Sequence, residues 1–408
     1  MLHNETGRSP LQVRLLGFLL VGNAAMFALY SGVGVLLALQ VEALDPAGKV
    51  ADLGLIAGIS AVFATVANPI GGALSDRTHT RFGRRNPWLI GGALAALGSM
   101  ALLSGAGSVL MLGIGWCVGQ AMTNFYLAAL TAVVPDRVPA DRRGAASAVA
   151  AVSISVGAIA GTQIAARFAG NLQGGYLVFG AIVVAAAVLV VSFTRDPRPG
   201  EYVVAAKAPF LPALLSALRH RDFLWVFLGR AMIILGYFMV LAYLLYIVKD
   251  YIGLPPGLAA ADAVARVTLL STGCAIVAAL VGGALSDRLD RRKAFVVVAG
   301  VVSALSLMIP ILVPSWTGVL IYAAIHGTAF GIYGAVDIAL ATLVLPSQGD
   351  VARDMGVLNV AAAGPQIAAP FVASLVITVG GGYPPLFVAA TVVSLIGALA
   401  VLPIKSVR

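Results

Sequence analysis

Gly71 to Trp88 reads GGALSDRTHTRFGRRNPW, and a shortened form of it, GGALSDRLDRRK, returns at Gly282 to Lys293. The seven shared residues, Gly-Gly-Ala-Leu-Ser-Asp-Arg, lie 211 positions apart in a chain of 408, and each copy stands between two long apolar runs. A repeat at half the chain length predicts two related halves. Its arginines predict which side of a bilayer the loops occupy, because short loops rich in Lys and Arg are held in the cytoplasm.

The apolar runs dominate the composition. At 60 % hydrophobic and 11 % charged, the chain lacks the polar surface that a soluble body of this length requires. Its 46 glycines suit packed membrane helices, where small residues let backbones approach. The formal charge of +9 sits in short loops rather than along a continuous basic face, so nucleic acid is not an expected partner. Cys117 and Cys274 fall inside apolar runs of different halves and read as small core residues, without redox or metal chemistry. The polar start, MLHNETGRSPLQVR, leads into an apolar run with no small-residue cleavage site. At about 24 residues that run is too long for a signal-peptide core, and it is expected to be an uncleaved first helix.

With about 20 apolar residues per crossing, spans are expected near 15–39, 54–75, 88–106, 109–134, 144–166, 175–193, 223–248, 264–285, 294–313, 317–345, 355–378 and 384–403. The expected fold is therefore all-α: a polytopic membrane protein of twelve transmembrane helices in two six-helix, pseudo-symmetric halves. The domains would be 1–193 and 223–408, joined by a polar cytoplasmic linker at 194–222. The segments 1–14, 76–87, 135–143, 194–222, 286–293, 346–354 and 404–408 hold 21 of the 26 Lys and Arg. The alternate loops hold four: Lys49, Arg167, Lys249 and Arg266. That bias places both termini and the linker in the cytoplasm. Of the 17 acidic residues, eleven lie in the cytoplasmic segments and five in the opposite loops. Arg230 and Asp337 remain as the only acidic or basic side chains, histidine aside, inside a span.

Further repeats support the two halves. Gly22-Asn23-Ala24 through Tyr30 aligns with Gly229-Arg230-Ala231 through Tyr237 at an offset of 207, and Thr131 through Pro135 aligns with Thr342 through Pro346 at 211. The first span thus matches the seventh and the fourth matches the tenth. Both run the same way, as in parallel repeats related by an axis along the membrane normal.

Two six-span halves, a long central loop and Gly72-Ala73-Leu74-Ser75-Asp76-Arg77 after the second span resemble the major facilitator superfamily over the whole chain. That family's loop signature has a glycine three residues after the aspartate, whereas Gly83 follows Asp76 by seven, an insertion of about one helical turn. The long form, Ser-Asp-Arg…Arg-Phe-Gly-Arg-Arg-x-Pro, resembles the sucrose-type proton symporters and the glycoside–pentoside–hexuronide carriers. Asp337-x-Ala339-Leu340-x-Thr342-x-x-Leu345-Pro346 resembles bacterial members of that branch. The fourth span carries no charge from Ser108 to Val134, and the fifth reads Gly157-Ala158-Ile159-Ala160-Gly161 without proline. Neither sucrose specificity nor drug–proton antiport is therefore implied.

The candidate chemistry centres on Asp337. An ionised carboxylate in hydrocarbon costs roughly 2.5–3.5 kcal/mol on insertion scales, so it needs a cavity or a partner. His326, Phe330, Tyr333 and Asp337 fall at i, i+4, i+7 and i+11, on one helix face. Arg230 lies about 10 Å, and Asp337 about 12 Å, from the cytoplasmic ends of their spans at 1.5 Å per residue. The resemblance implies that spans 1, 4, 7 and 10 line a central cavity, which lets the two meet. Such a pair either takes up and releases a coupled proton, with His326 as a second candidate, or is a static ion pair that fixes packing. A lone helical histidine is commonly a packing residue.

In the first half, Asn23 corresponds to Arg230 and Tyr126 to Asp337, so that half would offer neutral hydrogen bonds. The candidate cavity residues are Asn23, Tyr30, Gln120, Asn124, Tyr126, Tyr237, Tyr333, Asn359 and Gln366. Each amide serves equally well as an interhelical hydrogen bond. Asn68, beside Pro69, is read as supporting a kink. The resemblance implies a cytoplasmic gate at Gly72, Asp76, Arg77, Arg81, Gly83, Arg84, Arg85, Asp287 and Arg288, the carboxylates capping a helix N-terminus and pairing with loop arginines. Those arginines would bridge the halves, or only set topology and meet anionic lipid.

No nucleotide-binding, zinc-protease or hydrolase motif occurs. The expectation is a secondary transporter rather than an enzyme, without a cofactor. It would be a monomer in the plasma (inner) membrane, moving a small polar solute such as a sugar or glycoside by proton-coupled alternating access, with sodium as the other candidate ion. An exporter of a metabolite or antibiotic would share the same helices. A membrane enzyme or sensor finds neither a catalytic cluster nor an output domain.

Overall fold

The computed structural model describes residues 10–138, 143–193, 218–344 and 351–404. Among these the chain is helical, in twelve main elements: α1 (Pro10–Leu44), α2 (Lys49–Arg77), α3 (Asn86–Ser104), α4 (Val109–Arg137), α5 (Arg143–Arg167), α6 (Leu172–Phe193), α7 (Arg221–Ala242), α8 (Ala260–Leu289), α9 (Arg292–Ser306), α10 (Trp316–Leu343), α11 (Val351–Gly380) and α12 (Pro384–Leu399). Eleven helical segments are long and apolar enough to cross a membrane, and Pro384–Leu399 is a shorter apolar helix. Helices suit this role because each closes its backbone hydrogen bonds internally, where hydrocarbon supplies no partner. The central linker lies outside the described residues up to position 217, as do Leu345 and Pro346 of the motif after the tenth span.

Two expected spans are broken. The seventh stops at Ala242 and continues through Leu244–Tyr246 into a π-helical turn, Ile247–Ile252, which ends at Gly253 with φ 70°. Only glycine adopts that conformation freely. The ninth stops at Ser306 and resumes as Ile309–Leu312, because Pro310 has no N–H to continue the ladder.

Contacts divide the described residues into two compact units, one lying within 1–44 and 60–204, the other within 45–59 and 205–408. In the first, α1 packs on α5 and α6, and α3 on α4 and α6. In the second, α7 packs on α11 and α12, and α9 on α10 and α12. These are the same pairings under the repeat. Even the caps repeat: Ser108 accepts from Met111 N–H at the start of α4, and Ser315 accepts from Gly318 N–H at the start of α10.

The second unit is organised around α10. Its Tyr333, Val336 and Leu340 join Phe223, Ile233 and Val296 in a buried core. On its other side α8 approaches closely enough that a Cβ at Gly327 or Gly331 would overlap backbone atoms of Ser271 or Ala275. Small residues at such crossings provide the van der Waals contact that holds membrane helices together. Gly331→Leu is therefore expected to destabilise the protein by about 1–3 kcal/mol through overpacking. Gly334→Leu, on the same helix but facing open space, should be near neutral. Thermal unfolding of the two variants in detergent would check the contrast.

Candidate functional site

The two intramembrane charges meet. Arg230 Nη1 on α7 lies 2.8 Å from Asp337 Oδ2 on α10, and their side chains are only 16 % and 6 % exposed. Tyr333, one turn before Asp337, is buried with its hydroxyl near the carboxyl. Arg230 Nε is buried without a partner among the described residues. One ion pair thus neutralises both charges where water is scarce, while leaving a guanidinium donor unused.

The four-residue face of α10 is continuous, and Tyr237 of α7 lies across it. The Tyr237 ring stacks on Phe330 at 4.4 Å and on His326 at 5.5 Å, and Phe330 meets Tyr333 at 6.0 Å. His326 stands apart from the ion pair, eleven residues from Asp337 or about 16 Å along the helix. Its Nδ1 is engaged by α9, 3.1 Å from Ser306 Oγ and 3.2 Å from the Ser303 carbonyl oxygen. Ser303 and Ser306 escaped the sequence reading because only the packing of α9 on α10 brings them to the ring. Asn359 and Gln366 are both exposed on α11.

In the first unit a polar cluster joins three helices. Tyr30 of α1 donates to Thr123 Oγ1 at 3.1 Å, Asn124 Nδ2 donates to the Tyr30 hydroxyl at 3.1 Å, and Asn68 Nδ2 of α2 donates to Asn124 Oδ1 at 3.3 Å. Asn68 therefore reaches across to α4, beyond the local kink role expected of it. Gln120 is half-buried one turn before Asn124. Asn23 turns back on its own helix, donating to the Leu19 carbonyl at 2.9 Å. Tyr126 is fully buried, its hydroxyl 3.5 Å from the Gly22 carbonyl oxygen. Gly22 adjoins Asn23, so the repeat mate of Asp337 lies beside the repeat mate of Arg230.

The opening loop is a built cluster. The insertion is no helical turn: α2 ends at Arg77 and the chain reverses tightly, with Gly83 N–H donating to the Thr80 carbonyl at 3.0 Å. Gly83 has φ 100°, which disfavours other residues. Thr80 Oγ1 donates to the Gly83 carbonyl at 2.7 Å, and Trp88 Nε1 donates to Thr78 Oγ1 at 2.7 Å. The reversal carries Arg84 and Arg85 back to the helix ends. Arg85 reaches Asp76 at 2.7 Å and Asp136 at 2.9 Å and bonds Ser75 Oγ, while Arg84 reaches Asp136 at 2.7 Å. Burial opposes the Arg85 charge, but the hydrogen bonds that Arg85 donates to Asp136 and Asp76 and their negative charge outweigh it and raise the pKa. These arginines tie α2, the loop and α4 together within one unit.

Arg77 and Arg81 are exposed, Arg81 lying 4.7 Å from the Phe82 ring centre, and Gly72 is half-buried. In the second copy Asp287 pairs with Arg292 at 3.0 Å at an exposed position, and Arg288 is exposed. Asp136 reads in the sequence only as one of the cytoplasmic loop charges. Its place at the end of the fourth span, opposite four arginines, was the available signal.

Removing one member of the Arg230–Asp337 pair strands a buried charge. Arg230→Met alone is expected to cost about 3–5 kcal/mol, and Arg230→Met with Asp337→Leu much less, because an apolar pair needs no neutralisation. A double-mutant cycle on thermal stability measures the difference.

No curated protein sequence matches the chain. Solved structures share the fold at low identity. A bacterial homologue of the human lysosomal transporter Spinster, inward-facing and unoccupied, aligns with a TM-score of 0.71 at 16 % identity, covering 98 % of this chain and 95 % of its own. A POT family transporter in complex with 5-aminolevulinic acid aligns with a TM-score of 0.74 at 15 % identity, covering 95 % of each chain. An auto-inhibited POT family peptide transporter aligns with a TM-score of 0.71 at 13 % identity, covering 95 % of this chain and 96 % of its own. The sequence itself matches the Major Facilitator Superfamily over residues 19–271 and 262–407. The two-half helical fold and this match together make the chain a member of the Major Facilitator Superfamily, a multi-pass membrane transporter rather than an enzyme.

Proposed function

We propose that the chain couples the movement of a small polar solute, a sugar or glycoside first among the candidates, to a proton carried by Asp337. The observation that carries this reading is the desolvated Arg230–Asp337 pair, 2.8 Å apart and the only charged pair expected within the spans. A carboxylate so placed is poised between two influences: burial favours its neutral form, and the guanidinium favours its charged form. A small movement of α7 against α10 would shift that balance and release or capture one proton. The Tyr237–Phe330–Tyr333 wall beside it offers ring faces of the kind that pack on a sugar. The Tyr30–Asn124–Asn68 cluster of the first unit supplies neutral hydrogen bonds.

In this reading residues 1–193 and 223–408 move as the two halves about the 194–222 linker, and the protein works as a monomer in the plasma membrane with both termini cytoplasmic. The Asp76–Arg85–Asp136 cluster supports the role of the loop as a cytoplasmic gate, because it gives that loop one fixed shape. Sugar specificity rests on the long-form loop and its likeness to the glycoside carrier branch.

Uptake into proteoliposomes tests the proposal. The panel contains monosaccharides and glycosides, and also 5-aminolevulinic acid, the ligand of a structurally similar transporter. Each is measured with an imposed pH gradient, with an imposed sodium gradient and with neither. The expected outcome is pH-driven accumulation of one glycoside or sugar, abolished by Asp337→Asn while solute exchange without a gradient persists. Full pH-driven uptake by Asp337→Asn removes the coupling role, and accumulation driven by sodium alone replaces the ion.

A further inference from the structure

His326 faces two ways. Toward α9, its Nδ1 lies within hydrogen-bond distance of Ser306 Oγ, at 3.1 Å, and of the Ser303 carbonyl oxygen, at 3.2 Å, with Ser303 Oγ at 3.3 Å. Ser306 Oγ gives its single hydrogen to the Ser303 carbonyl at 2.6 Å, and a carbonyl has no hydrogen to give. The Ser303 carbonyl can only accept, and Ser303 Oγ, the other possible donor, makes the longest of the three contacts, so the ring hydrogen is assigned to Nδ1. The ring is 3 % exposed and bonded to no carboxylate among the described residues, a setting that favours the neutral imidazole. In that tautomer Nε2 presents a lone pair, and it is buried without a partner among the described residues.

The ring borders a cavity of about 50 Å³ between α7, α8 and α10. Its polar wall comprises Tyr237, Thr268, Ser271, Thr272, Tyr322 and His326, and the remainder is aliphatic. A single water needs about 10–15 Å³ of such space and two to four polar partners, both of which this cavity supplies. The space accommodates one hydroxyl oxygen. Lying beside His326, the pocket is about three helical turns from Asp337 and is distinct from the ion pair.

We propose that this cavity is a binding site for a single hydroxyl-type oxygen, which donates its hydrogen to His326 Nε2 and shares further bonds with the hydroxyls of α8. Two sources carry that chemistry: a resident water, or one hydroxyl of the transported solute. The second source rests on the transport reading above, and the first does not.

The test reads the ring directly. Full-length protein labelled with 15N-histidine is placed in lipid nanodiscs, with His3, His79 and His220 replaced by Gln so that one imidazole remains. The expected spectrum shows the proton on Nδ1 and Nε2 shifted toward a hydrogen-bonded acceptor, with magnetisation transferred from water protons. Methyl glucoside is then titrated as the probe. A saturable loss of the water transfer identifies a solute hydroxyl, and an unchanged transfer identifies a resident water; either outcome supports the site.

A proton on Nε2, or a bare Nε2 without water transfer, overturns it. Thr268→Val with Thr272→Val should diminish the transfer without touching the ring, and an unchanged signal there also overturns it. These spectra need no transport, so absent uptake would sink the functional reading and leave the site to be judged alone.

Discussion

Hydrocarbon offers no hydrogen bonds and almost no screening, and the structure follows from that constraint. Every backbone donor and acceptor within the bilayer must be satisfied inside its own segment, so the chain is a set of long helices. Charge must leave the spans or be neutralised within them, so Lys, Arg, Asp and Glu gather in the loops. Arg230 and Asp337 are the exception, and they are tolerated because each is the other's counter-ion at 2.8 Å. Without a hydrophobic drive between helices, cohesion falls to close packing, as where α8 meets α10 at Gly327 and Gly331.

Many of the polar side chains that remain in the spans are gathered by the same rule into clusters that satisfy one another. Tyr30, Asn68, Thr123 and Asn124 complete one another in the first unit. Ser303, Ser306 and one edge of His326 do so in the second. At the membrane edge the loop after α2 solves a different problem. Its arginines are too many to leave unneutralised near buried helix ends, and Asp76 and Asp136 gather two of them into one ion cluster. The insertion that lengthens this loop supplies the reversal, and Gly83 supplies its left-handed residue.

The membership of the chain in a transporter superfamily explains why two similar units exist, but it leaves the cargo open, because function resides in the side chains that line a site rather than in the helices that carry them. In that respect the two units differ. The first offers amides and hydroxyls. The second concentrates the charge, the stacked rings of Tyr237 and Phe330, and the half-satisfied imidazole of His326.

The span count, the repeat and the candidate pair were legible in the sequence, because hydropathy, internal identity and stray charges are properties of residues in order. Span ends agreed to within a few positions except at Tyr243 and Pro310, where a local break overrode the apolar run. Similar depth by helix rise, together with the resemblance that puts spans 7 and 10 on one cavity, made the meeting of Arg230 with Asp337 foreseeable. What only the tertiary structure decided were the partners that depend on helix rotation and approach: Asp136 for Arg84 and Arg85, Asn68 for Asn124, and the α9 serines for His326. A sequence records how far along its helix a side chain lies and on which face. It does not record which neighbouring helix that face meets, because in a bilayer nearly every face is apolar, and the choice is made by the fit of small residues against backbone.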